Sequence, residues 1–600
     1  MSRVESRGKQ QAQAIADAGG VMTHRQILFV IFGLMAGMFL SSLDQTIVGT
    51  SMRTIADDLD GLSLQAWVTT AYLITSTIAT PIYGKLSDIF GRRPLFIIAI
   101  VIFLVGSIAA GFADSMYQLA IFRALQGLGA GGLMALPLAI MGDILAPRER
   151  AKYQGYFLAV FGVSSVIGPL IGGLLSGTPE ILFVTGWRWV FLINLPIGII
   201  ALGIVMRFLH IPHTRRTVRI DWWGAATVVI ALVPLLLVAE KGREWGWDSE
   251  LAFACYIVGA LGIAAFIVSE KLMGDDALIP LKLFKNVTFR MATILGVLVG
   301  FGMFGAMMTI PLYLQLVEGA TPTESGFLML PMILGLMISS IVSGQIIART
   351  GKYSIFPKTG TALMAVGFFW LTFLTADKPV IWIMVGMFFI GLGLGQLMQT
   401  LTIASQNAVG PRDIGVATSS STFFRQIGGT LGVAVLFSVL FSRIPQTIAD
   451  AFASTSVQDG IAAATADPTV LADPKNKQIL ELFQSAQNGG SVGNALDGDT
   501  SFLNNADPRL AAPFLEGFNN ATVSIYWVGL AVILVAFVLS FFLKAAPLRA
   551  KSALQENSDN EAAAAAVIAQ EAADATGALV APVAADTEDE AAPATPRRKK

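Results

Sequence analysis

The 600-residue chain has a formal net charge of −1, 54% hydrophobic residues, only 14% charged residues and a mean hydropathy of +0.66. Soluble proteins carry about 25% charged residues, so this composition excludes a string of water-soluble domains and points to a membrane protein. The single cysteine, Cys255, excludes an intrachain disulfide and a cysteine metal cluster. Three histidines (His24, His210 and His213) without a cysteine partner argue against a zinc enzyme, and no metal site is expected.

A helix crosses a bilayer core with about 20 mostly apolar residues. Such runs fall at 27–49, 64–83, 95–112, 117–143, 153–175, 187–206, 222–240, 250–270, 291–316, 323–348, 355–374, 380–401, 414–441 and 520–544, fourteen in all. They are continuous rather than alternating, and far longer than the ~10-residue strands of a membrane barrel. The first run follows a polar tail and ends in SSLDQT instead of a small-residue cleavage site, so a removable signal peptide is not expected. With a cytoplasmic N-terminus, the short inner segments hold 22 Lys and Arg and the short outer segments 4. This asymmetry sets the orientation and, with an even span number, puts both termini in the cytoplasm. The expected organisation is a cytoplasmic tail (1–26), a six-helix half (27–206), an inserted two-helix hairpin with its linker (207–270), and a second six-helix half (271–441 and 520–544). A long extracytoplasmic loop (442–519) interrupts the second half. It is rich in Ala, Asp, Asn and Gly, with one amphipathic run near LADPKNKQILELFQSAQ, and reads as a partly helical excursion or a place for an accessory protein. Residues 545–600 form a cytoplasmic tail; its stretch from 552 on is rich in Ala, Glu and Asp with few aromatics, a composition of disorder.

Charges inside a membrane are costly and rarely idle. Asp44 lies about six residues from the outer end of the first span and Arg123 about six residues from the outer end of the fourth, so the two share a depth. Burial in an apolar medium favours a neutral carboxyl unless a cation faces it. Asp44 is therefore a candidate proton carrier or counter-charge for a cationic substrate, with a carboxylate that simply reaches water as the alternative. Arg123 is its candidate partner, in a functional or a purely structural ion pair. Arg425 lies near the middle of the thirteenth span.

GKLSDIFGRRP (84–94) joins the second and third spans, and GQIIARTGKYS (344–354) leaves the tenth. Each has two glycines seven residues apart, Gly84 and Gly91, Gly344 and Gly351, at matching places in the two halves. Transporters are commonly built from such repeats, with the substrate between them. GKLSDIFGRRP resembles the signature loop of the major facilitator superfamily, G-x-L-x-D-x-x-G-R-R/K-x. The resemblance implies an all-α integral membrane protein with fourteen transmembrane helices arranged six, two and six. It also implies a gate formed by Gly84, Asp88, Gly91, Arg92 and Arg93, with Asp143 as a second partner for Arg92, that latches the outward-facing state.

Further motifs are similar to the fourteen-span branch of drug:proton antiporters. Arg123, Gln126 and Gly127 match the span-four motif associated with proton coupling. Gly155, Ser164, Gly168, Pro169, Gly172 and Gly173 match the antiporter motif of exporters, with Ser164 in place of a glycine. WRWVFLINLPIG (187–198), DWWG (221–224) and FFRQIGGTLGVA (423–434) fit the same branch. After LDQTIV the family continues N-V-A-L-P where this chain has GTSMR, which places Arg53 at the outer mouth. Pocket candidates in the second half are Gln315, Gln396, Gln399, Asn407, Gln426, Phe304, Met307, Met308 and Phe424, the Met and Phe being suited to varied apolar ligands.

The implied function is proton-coupled export of lipophilic, often cationic, drugs and toxic compounds across the cytoplasmic membrane by alternating access. Asp44, Arg123, Gln126 and Arg425 would serve coupling and substrate. Export of an endogenous envelope lipid or metabolite on the same fold is the alternative. No Gly-x4-Gly-Lys-Ser/Thr loop supports ATP drive, so the expectation is no cofactor beyond the proton motive force. The expected partners are protons, small lipophilic substrates and the lipid bilayer, and neither an enzyme nor a nucleic-acid binder is expected.

Overall fold

The computed structural model describes residues 24–59, 64–209, 219–487, 503, 506–544, 546–549 and a few single positions from 551 to 571. Each of the fourteen apolar runs forms a helix: α1 His24–Asp58, α2 Gln65–Phe90, α3 Arg92–Gly111, α4 Met116–Ile144, α5 Pro147–Ser176, α6 Asn194–Phe208, α7 Trp222–Trp245, α8 Glu250–Met273, α9 Val287–Leu316, α10 Leu330–Thr350, α11 Ile355–Leu371, α12 Ile381–Asn407, α13 Ile414–Ala453 and α14 Pro508–Ser540. Among the described residues, twelve helical segments are long and apolar enough to cross a membrane. The two outside that set are α11, with 17 residues, and α2, whose apolar run is diluted by Thr69, Thr70, Thr75, Ser76, Thr77 and Thr80.

Local chemistry sets the helix ends. The side chains of Ser115, Asp221, Ser249 and Asn286 accept backbone N–H bonds at the starts of α4, α7, α8 and α9, satisfying donors that a first turn leaves open. Gly91, at φ 96°, makes the one-residue break between α2 and α3 and returns its N–H to the Ser87 carbonyl, a conformation that glycine adopts without strain.

The two halves repeat one packing pattern. In the first, α1 packs on α5 and α6, α2 on α4, and α3 on α4 and α6; in the second, α9 packs on α13 and α14, α10 on α12, and α11 on α12 and α14. Two equivalent seams join the halves, α2 against α13 and α5 against α10. Without a hydrophobic drive between helices in lipid, close approach depends on small residues. A β-carbon on Gly106 would lie 2.7 Å from the Gln126 backbone between α3 and α4, and one on Gly367 would lie 2.8 Å from the Gly386 carbonyl between the equivalent α11 and α12.

The hairpin α7–α8 stands beside the α2–α13 seam, where Ile78, Val228, Leu278, Ile279 and Phe423 form a cluster. Large apolar side chains of α8, among them Phe253, Ile257, Leu261, Val268 and Leu272, are exposed, as a lipid-facing surface requires. The segment 442–519 is helical over most of its described part. α13 runs 40 residues to Ala453, short helices follow at Thr455–Thr465, Pro468–Ala472 and Lys477–Gln487, and α14 begins at Pro508. The rings of Phe452, Phe483 and Phe514 pack together at 5.5–5.9 Å and bind this segment to both long helices. Residues 488–502, the tail 1–23, most of the C-terminal tail and the Arg53 side chain lie outside the described residues.

A β-carbon on Gly428 of α13 would lie 2.7 Å from the backbone of Val297 on α9. Gly428→Val is expected to cost about 1–3 kcal/mol by overpacking, read as a lower thermal unfolding midpoint in detergent. Gly203→Ala, whose β-carbon would meet nothing within 4 Å, is expected to leave that midpoint in place.

Candidate functional site

The structure brings Asp44, Arg123 and Gln126 together. Asp44 of α1 is 0% exposed. Its Oδ2 meets Arg123 Nη1 of α4 at 2.5 Å, and its Oδ1 accepts from Gln126 Nε2 at 2.8 Å and from Asn194 Nδ2 of α6 at 2.7 Å. Arg123 Nη1 also donates to Gln126 Oε1 at 2.7 Å. The guanidinium lies 4.0 Å from the centroid of the Tyr72 ring on α2, and the Tyr72 hydroxyl is 2.9 Å from Ser41 Oγ. Asn194 in turn donates to Ser107 Oγ of α3 at 2.9 Å. Every helix of the first half except α5 thus places a group in or against this cluster. Sequence reasoning missed Asn194, Ser107 and Tyr72. Asn194 stood in the LINLP motif, and a lone amide in an apolar run is a signal of its own.

A second cluster lies at the end of the bundle that carries the basic loops. Arg92, in the first turn of α3, meets Asp88 of α2 at 2.5 Å and Asp143 of α4 at 2.6 Å, and also donates to Ser87. Asp88 Oδ2 accepts the backbone N–H of Val416 at 3.0 Å, in the first turn of α13, where a carboxylate complements the helix dipole. The cluster therefore reaches from one half into the other. Gly84 and Gly415 provide clearance, because a β-carbon at Gly84 would run into Ser419 and one at Gly415 into Arg92. Arg93 points elsewhere, donating to the Met206 carbonyl of α6 at 2.7 Å.

Two glutamines close the same end. Arg150 of α5 donates to Gln406 of α12 and to the Gly142 carbonyl. Gln406 donates to the Leu138 carbonyl at 3.2 Å and to Thr418 at 2.8 Å. Gln399 donates to the Ala151 carbonyl at 2.7 Å and accepts from Ser340 at 3.0 Å. Arg150 and Gln406 carried no signal in the sequence as a pair, since they stand 256 residues apart.

The glycine motif of α5 packs two ways. Thr46 of α1 donates to the Ser164 carbonyl at 3.0 Å and Ser51 to the Gly172 carbonyl at 3.1 Å. A β-carbon at Gly168 would meet Thr46 and one at Gly172 would lie 2.9 Å from the Ile47 carbonyl. On another face, Gly155 stands 3.0 Å from Ile341 of α10 by the same measure, and Pro169 faces Gly326 just before α10. Gly173 meets nothing within 4 Å. The motif thus seats the Asp44 helix on one side and forms part of a seam on the other.

The pocket candidates are dispersed. Gln399 is buried in the closure just described. Gln396 accepts from Thr359 of α11 at 2.5 Å, Gln315 donates to Ser325 at 3.2 Å, and Asn407 donates to the carbonyls of Ala546 and Pro547. Phe424 stacks edge-on with Phe423 and Phe284 beside the hairpin, Phe304 covers Gly429, Met307 is half-buried and Met308 is exposed. Gln426 accepts from Thr80 of α2 at 3.4 Å. Arg425 is buried near that contact. Among the described residues no group of three or more His, Cys, Asp or Glu is placed to hold a metal.

The sequence model of the Major Facilitator Superfamily matches residues 34–433. The multidrug transporter protein MdtP of Bacillus subtilis (strain 168) is 37% identical over 554 residues, 91% of this chain and 98% of that one. Multidrug resistance protein 3 of the same organism is 35% identical over 458 residues, 76% of this chain and 86% of that one. The fold is similar to that of the proton:xylose symporter XylE, with a TM-score of 0.50 at 14% identity, over 70% of this chain and 90% of that one. Paired six-helix units, a charged cluster that reaches from one to the other and this kinship lead to one conclusion: the chain belongs to the major facilitator superfamily and is a membrane transporter rather than an enzyme.

Proposed function

We propose that this transporter exports small lipophilic, often cationic, drug-like compounds across the cytoplasmic membrane in exchange for protons. In this reading the chain spans the membrane fourteen times, the basic end and both termini face the cytoplasm, and the proton motive force is the only energy source. The names of the relatives, a multidrug transporter and a multidrug resistance protein, support the cargo class. The Asp44 cluster is the observation that carries the coupling.

Asp44 is fully buried and bonded to a guanidinium and two amides from two other helices, α4 and α6. As a carboxylate it accepts all three contacts. A proton on Asp44 cancels its attraction for Arg123 and turns one oxygen into a donor, which the Gln126 and Asn194 amide nitrogens cannot accept. The cluster then has to rearrange, and α1, α4 and α6 move with it. Proton and cationic cargo compete for the same negative charge, so each leaves as the other arrives. The Arg92 latch holds the basic end shut until rearrangement within the first half displaces Asp88 from α13. A ligand drives such a switch only through its different affinity for the two states.

Three outcomes follow. Asp44→Asn, which keeps the shape and removes the titrating group, is expected to lower proton-driven ethidium efflux about tenfold or more, the usual scale of coupling between two sites. Wild-type rates in inverted vesicles would refute proton carriage at this residue. Asp143→Asn removes one of the two carboxylates that face the buried Arg92, and is expected to speed thiol labelling of Ser419→Cys from the basic side in a Cys255→Ala background. For orientation, a membrane-impermeant thiol reagent on intact cells is expected to label Asp114→Cys and spare Lys152→Cys. The reverse pattern would invert the topology.

A further inference from the structure

Among the described residues, the buried cations are engaged, with one exception. Arg92 and Arg123 face carboxylates, while Lys85 and Arg150 donate to carbonyl and amide oxygens. Lys241 also has a partner. Arg425, in the first third of α13, is 8% exposed and has no hydrogen-bond or ion-pair partner among the described residues. Its Cγ lies 3.2 Å from where a β-carbon on Gly300 of α9 would stand, so the stem occupies space that the glycine leaves. The adjacent residue, Gln426, touches Thr80 of the opposite half. Arg425 therefore stands against α9 within the second half, one residue from a contact with the first half.

A guanidinium stays charged at any physiological pH, and leaving it unpaired in an apolar interior costs free energy that a bound anion recovers. The carboxylate nearest in role, Asp44, is already occupied by Arg123. A cargo bearing only positive charge would meet Arg425 as a repulsion. We propose that Arg425 is a recognition site for an oxyanion, a carboxylate or phosphate, on the transported compound, so that the preferred cargo is an amphiphile with an acidic group, zwitterions included. The planar guanidinium offers such a group a two-pronged contact that a neutral polar residue cannot. This assignment rests on the exporter reading and narrows its cargo class.

A pair of dyes tests it on the unaltered protein. Rhodamine B carries a carboxylate beside its cationic ring system, and its ethyl ester is the same ring as a plain cation. Purified wild-type protein is expected to bind the acid about tenfold more tightly than the ester, the scale of one charge-assisted contact. Arg425→Gln is expected to bring the affinity ratio to near one, and Arg425→Lys, which keeps the charge but not the two-pronged contact, to retain part of it. Equal affinities in the wild type, or a ratio that Arg425→Gln leaves in place, would overturn the assignment. The wild-type comparison needs no variant, so misfolding cannot mask the answer. Equilibrium binding needs no gradient either, so a protein that discriminates the dyes but shows no proton-driven efflux in vesicles would refute the exporter reading and leave the oxyanion site standing.

Discussion

Arg92 touches Asp88, Ser87 and Asp143 within its own half, and through Asp88 it reaches the first turn of α13 in the other. A buried guanidinium between two carboxylates is expensive to break because each group left behind would be an unpaired charge. The position of this bridge matters more than its strength. Gly91 turns α2 directly into α3, so both helices pivot at the residue beside the bridge. Gly84 and Gly415 let α2 and α13 come close enough for Asp88 to reach a backbone amide. The closing glutamines sit at this same end, where the α5–α10 seam begins.

The hydropathy of the chain makes the helices legible, because lipid demands long apolar runs and the sequence has little else. Two features were harder to read. The Thr and Ser residues of α2 lower its hydropathy because that helix faces two neighbours, α4 and α13, instead of lipid. The polar extensions of α13 to Ala453 and of α14 back to Pro508 are stabilised by ring packing among Phe452, Phe483 and Phe514, a tertiary fact with no local signature.

Charged residues inside spans were equally legible, and motif spacing pointed to the gate glycines and acids. Neutral partners were not. Asn194 and Tyr72 act on the Asp44–Arg123 pair only because α6 and α2 fold against α1 and α4. Gln399 reads as a pocket candidate in sequence and Gln406 is not singled out there, yet both hold α5 against α12. In each case the deciding quantity is a contact between residues far apart in the chain, which periodicity cannot report.

The repeat that relates the halves is broken by the hairpin. α7 lies against the α2–α13 seam, where its Val228 is buried with Ile78 and Phe423, and α8 packs on the far side of α7. The equivalent α5–α10 seam has no such cover, and Val163, Leu170, Leu334, Ile338 and Val342 along it are exposed. One seam is bordered by protein and the other by acyl chains. Bilayer thickness and lipid order therefore press on a single side of the junction between the halves, an asymmetric load on an otherwise two-fold arrangement.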